Sequence, residues 1–126
     1  MRHHLYNPEF KFVVKPEHFN KFTDRQLLQY CLGATMYMPG FKDFTMKILT
    51  HAMPGLTTIV FCFEDACPEE KVSEAMENVH HLLSAVTNAV ESGMLNPDHV
   101  PLIFVRIRDL GQFKAFGEKL TKEEVK

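Results

Sequence analysis

Thr58-Ile59-Val60-Phe61-Cys62-Phe63-Glu64-Asp65-Ala66-Cys67-Pro68-Glu69-Glu70-Lys71 is the stretch on which the fold turns. Its first half is short, apolar and β-branched, the composition of a strand buried on both faces. Its second half starts a helix: Pro68 suits the first helical position, and Glu69 and Glu70 sit where the helix dipole favours negative charge. Glu64 and Asp65 therefore fall between the end of a buried strand and the start of a helix. In parallel α/β folds that carboxyl edge is where chemistry is placed. Two adjacent carboxylates there cost desolvation energy unless a cation, hydrogen-bond donors or water compensates them.

Downstream, Val72, Ala75, Met76, Val79, Leu82, Leu83, Val86, Ala89 and Val90 form one apolar stripe, and Gly93 is a natural C-terminal stop. That spacing predicts a helix from Glu69 to Ser92 with a core-facing side. Asn96-Pro97-Asp98-His99 reads as a turn. Val100–Ile107 follows as a second buried strand, with Arg106 inside the apolar run and Arg108 and Asp109 just beyond it. Leu110–Leu120 is expected to be helical, and the charged tail Thr121–Lys126 to fray.

Upstream, Asp43–Met53 carries Phe44, Ile48, Leu49 and Ala52 at helical spacing, and Pro54-Gly55 stops it. Ala34–Met38 is a short apolar strand stopped by Pro39-Gly40. Before it, Thr23-Asp24-Arg25-Gln26 resembles a capping box with Thr23 as the cap. The expected helix buries Leu27, Leu28, Cys31 and Leu32 and ends at Gly33. Residues 1–22 read as irregular, with a short edge strand at Lys11–Val14 closed by Pro16. The order is a helix followed by three strand–helix units, which implies α/β structure on a parallel sheet. Residues 1–126 read as one domain or part of one, with the βα units over residues 23–120.

A formal net charge of −2 and the lack of any basic run argue against nucleic acid as a partner. No apolar run approaches the roughly 20 residues of a membrane helix, and Met1-Arg2-His3-His4-Leu5-Tyr6 lacks the apolar core of a signal peptide. The cysteines Cys31, Cys62 and Cys67 are odd in number, which favours reduced thiols and a cytoplasmic setting.

Three motifs in order carry a family resemblance. Leu28–Pro39 ends in Tyr37-Met38-Pro39, Cys62-Phe63-Glu64-Asp65-Ala66 leads into Pro68-Glu69-Glu70-Lys71, and Val105-Arg106-Ile107 lies in the third strand. Together they resemble the citrate lyase β-subunit and HpcH/HpaI aldolase superfamily. The likeness is greatest to its TIM-barrel carbon–carbon bond lyase-like branch, encoded beside tellurium-resistance and stress genes. The resemblance covers about Thr23 to Arg108 and implies the N-terminal part of a (β/α)8 barrel. It implies a Mg²⁺-dependent enzyme that cleaves or forms a carbon–carbon bond in a small keto acid or acyl thioester. On it, Arg106 binds the substrate carboxylate and carbonyl, with Pro39 beside the substrate. Glu64 and Asp65 are the acidic pair near the metal, reaching it through water. A planar guanidinium grips a carboxylate in two hydrogen bonds, and a hard cation stabilises an enolate. Cys62 departs from the pattern, since many citrate lyase-like sequences carry an aspartate there. The superfamily's direct metal ligands lie on later strands, so the chain as it stands is expected to be inactive alone.

Each residue also has a plainer reading. Glu64 and Asp65 could be a solvated loop pair, with Asp65 helping to cap the next helix. Arg106 could be a strand arginine paired with either acid for structure. Cys62, Cys67, His80 and His81 match no zinc spacing, and no base is indicated for Cys62 as a nucleophile. Pro39-Gly40 and Pro54-Gly55 serve as turn punctuation. Two non-catalytic alternatives stand beside the lyase: a half-barrel that associates into a homo-oligomer through its open edges and apolar face, or a small-molecule binding module.

Overall fold

The computed structural model describes residues 9–14 and 17–120. Its elements run α1 (Arg25–Leu28), β1 (Met36–Pro39), α2 (Thr45–Leu49), β2 (Thr58–Cys62), α3 (Val72–Glu91), β3 (Leu102–Arg106) and α4 (Leu110–Gly117). The strands form one parallel sheet in the order β1-β2-β3. Three parallel βα units behind a short helix make part of a barrel, with the sheet left open.

The register sorts the side chains. Met38, Phe61 and Val105 share a rung, as do Met36, Ile59 and Ile103. Residues in register project to the same face, and these six join the main core with Ala75, Val79, Leu82, Val86 and Ala89 of α3. The amphipathic stripe of α3 thus covers one face of the sheet, as the 3.6-residue period predicts. A 3-10 turn, Glu69–Lys71, begins that helix, with Pro68 standing one place before it. Gly93 follows in the left-handed conformation at φ 76°. The opposite face carries Tyr37, Val60 and Phe104 on one rung and Pro39, Cys62 and Arg106 on the next.

Several expected elements differ. Residues 11–14 form no strand and are exposed, while Pro16 lies outside the described residues. α1 lasts only four residues, its cap is Asp24 rather than Thr23, and none of its residues is buried. The chain leaves it by a turn at Tyr30. Gly33 sits at φ 63° in the loop before β1 and does not end the helix. Leu28 and Leu32 border an open groove of about 760 Å³ against α3 and β3, so no core encloses the face they would bury. α2 is shorter than Asp43–Met53, because His51 adopts φ 50° and the Thr50 hydroxyl bonds back to the Met46 carbonyl. α4 stops at Gly117, short of Leu120. β3 is no fully buried strand: Phe104 is 46 % exposed, on the face away from α3, and among the described residues β3 has only β2 as a neighbour.

Candidate functional site

Parallel strands end together, so their exits collect side chains on one rim. Pro39, the last residue of β1, pairs with Cys62, the last of β2, and Cys62 pairs with Arg106, the last of β3. The ladder runs one bond further, from the Phe63 N–H to the Arg106 carbonyl at 2.9 Å. Glu64 comes next, two places after Cys62, and its carboxylate lies 2.5 Å from Arg106 Nη2. Asp65 reaches the same nitrogen at 2.9 Å. The predicted triad Glu64, Asp65 and Arg106 therefore does assemble, at the carboxyl edge of the sheet. Pro39 stands half-buried on the Cys62 rung of the same rim.

The side chains of Glu64, Arg106 and Asp65 are 35 %, 42 % and 70 % exposed. The ion pairs are thus open to water and screened by it, which makes them a weak source of stability. Partial burial opposes the charge on Arg106, but Asp65 and Glu64 outweigh it and raise the guanidinium pKa further. Both acids use Nη2. Among the described residues, neither Nε nor Nη1 of Arg106 has an acceptor. Each is a separate donor for one carboxylate or carbonyl oxygen, since both two-pronged edges of the guanidinium include the occupied Nη2. The pairing seen here is also the one the plainer reading of Arg106 required. Asp65 does not cap the following helix, whose start has no side-chain cap.

Three residues outside that triad shape the rim. Arg108 donates from Nε to the Phe63 carbonyl at 3.3 Å, and from Nη2 to those of Glu64 at 3.4 Å and Cys67 at 2.7 Å. Asn78 of α3 donates from Nδ2 to the carbonyls of Gly40 at 2.6 Å and Lys42 at 3.0 Å, tying down the β1 exit. Gly40 lets Phe63 pack: a β-carbon there would stand 2.6 Å from the phenyl ring. Gly40 is therefore more than turn punctuation. Arg108 had a visible signal, since it stands two places after Arg106 and so projects to the same side of the extended chain. Asn78 had none beyond being polar on a helix.

As direct ligands, the acids do not fit a magnesium shell. Mg²⁺ takes six oxygen ligands in near-ideal octahedral geometry. Glu64 and Asp65 bring two carboxylates, both already on Arg106, and the described residues hold no cluster of three or more His, Cys, Asp or Glu that could bind a metal. Burial pushes the Cys67 thiol pKa up, against the pull of the Arg108 charge. No helix among the described residues is long and apolar enough to cross a membrane.

A family model described as C-C bond lyase of the TIM-barrel fold matches residues 26–126. Neither the curated proteins nor the solved structures give a match.

Proposed function

The chain belongs to the carbon–carbon bond lyase family of the TIM-barrel fold, and from that premise we propose that its rim binds the carboxylate of a small keto acid or acyl thioester. The observation that carries this reading is Arg106, oriented through Nη2 by Glu64 and Asp65 with its remaining donors unclaimed among the described residues. A fixed guanidinium needs little reorganisation when negative charge arrives, and it stabilises an enolate as a carbon–carbon bond breaks. Glu64 and Asp65 hold it in place, while Pro39 supplies an apolar wall one strand along. A Mg²⁺ ion, where bound, would polarise the substrate carbonyl, and these acids would meet it only through its water. We place the chain in the cytoplasm on the strength of its reduced thiols.

The test is a cleavage assay of the intact gene product with Mg²⁺ on a panel of small keto acids and acyl thioesters. Metal-dependent cleavage that Arg106→Ala abolishes is expected. No cleavage of any member, with ligand binding indifferent to Arg106→Ala, would overturn the proposal.

One observation favours a second, non-catalytic reading. Tyr37 and Phe104, 59 % and 46 % exposed, stand on the sheet face that α3 leaves bare. Neither β1 nor β3 has a second strand neighbour among the described residues. Bare apolar faces and free edges drive association, so a homo-oligomeric half-barrel is expected on this reading. Light scattering decides it, and a stable, well-folded monomer rules it out.

A further inference from the structure

We propose that Arg108 is a positioning residue of the rim: it fixes the loop bearing Glu64 and Asp65, and through that loop the orientation of Arg106. The inference rests on the reading of Arg106 as a carboxylate binder.

The sheet ladder ends where the Phe63 N–H meets the Arg106 carbonyl. Beyond that point the carbonyls of Phe63, Glu64 and Cys67 have no strand to bond. Backbone acceptors in such a place need partners, and Arg108 serves all three from one guanidinium. The Glu64 carbonyl also accepts from the Cys67 N–H at 2.9 Å, so the loop closes on itself beneath the arginine.

Arg108 is itself anchored at its root. Its N–H donates to Gln112 Oε1 at 2.6 Å, and the Gln112 N–H donates to Asp109 Oδ1 at 2.8 Å, the cap of α4. The side chain thus spans from the start of α4 to the exit of β2. Glu64 is held twice: its carbonyl by Arg108 and its carboxylate by Arg106.

Charge points the same way. Arg106 and Arg108 offset the charges of Glu64 and Asp65 at the rim. Without Arg108 the rim would be more negative by one charge and less favourable to a carboxylate. Charge and geometry separate cleanly by substitution, since lysine keeps the charge and loses the planar fork.

The experiment uses the full chain labelled with ¹⁵N at arginine, as wild type, Arg108→Lys and Arg108→Met, with oxalate as the probe. Paired to both acids, Arg106 rotates slowly about its Cζ–Nε bond and is expected to show separate Nη signals. In Arg108→Met these signals should merge and oxalate should bind about tenfold more weakly. In Arg108→Lys the signals should merge too, with only part of the affinity recovered. A folded Arg108→Met chain that keeps separate Arg106 signals and unchanged oxalate affinity overturns the proposal. If Arg108→Met does not fold, the same readouts on Arg108→Lys decide it. Should the wild type bind no oxalate while Arg108→Met still merges the Arg106 signals, the carboxylate reading fails and the positioning role stands.

Discussion

Arg106 Nη2, at the end of β3, lies 2.5 Å from the carboxylate of Glu64, the second residue beyond β2. This contact joins two successive βα units at the rim where their strands finish. Forty-two positions separate the two residues in the chain, so only the parallel register brings them together. In a (β/α) architecture that rim is the site of chemistry, while the opposite end serves stability.

Gly40→Ala should destabilise the fold by about 1–3 kcal/mol, the usual cost of overpacking. The added carbon would stand 2.6 Å from the Phe63 ring and 3.1 Å from the Ala75 β-carbon. Phe63 is fully buried and sits edge-on to Phe116, so it has little room to retreat. Urea denaturation of the variant measures the loss, and an unchanged midpoint would mean that Phe63 moves freely.

Thiol titration of the native chain should find one reactive cysteine. Cys31 is half-buried, whereas Cys62 and Cys67 are buried and all three are free. Burial also pushes the Cys67 thiol away from the reactive thiolate. In denaturant all three should react. Fast labelling of Cys62 or Cys67 in the folded chain would show that the β2 exit opens.

Stability should fall as pH drops below the ordinary histidine range. The His51 ring stacks on His99 with centroids 4.0 Å apart. Burial first, and the His99 charge second, hold the His51 pKa below its usual value. The unfolded chain therefore takes up this proton first as pH falls through about 6.5, and binds more protons than the folded one. Stability is full above that value and declines from there down to the folded pKa. His51→Asn removes the titration and tolerates the positive φ of this position. Its unfolding midpoint should change less between about pH 7.5 and about pH 5.5 than that of the wild type. An equal change in both would clear His51 of the effect.

Arg106→Ala should leave the fold standing, with the thermal midpoint moved by a few degrees at most. Its partners are surface-exposed, and such pairs contribute little to stability. Differential scanning fluorimetry checks this. A large fall would mark Arg106 as structural, the plainer of its two readings.

What the sequence disclosed, and what it hid, follow from how local each cause is. The stripe from Ala75 to Ala89 is legible because a 3.6-residue period needs only one helix to express it. β2 is legible because a run such as Ile59-Val60-Phe61 suits a central strand and little else. Strand order is not a local property, so nothing in the sequence around Phe104 marks it as lying on an outer strand. The sequence around α1 and α2 overstates their length for a similar reason. Their apolar spacing continues past the point where His51 turns left-handed or Leu28 runs out of core. The meeting of Glu64, Asp65 and Arg106 was foreseeable from strand ends and motif resemblance. The grip of Arg108 on three backbone carbonyls was not, because carbonyls leave no mark in a sequence.

The most direct measurement is a titration of the ¹⁵N-labelled chain with oxalate, following the backbone amides of Glu64, Asp65 and Arg106 in wild type and in Arg106→Ala. Saturable shifts at all three are expected in the wild type, with their loss at Glu64 and Asp65 in the variant. Absent shifts in the wild type, or shifts at the two acids that survive the loss of the guanidinium, would contradict it.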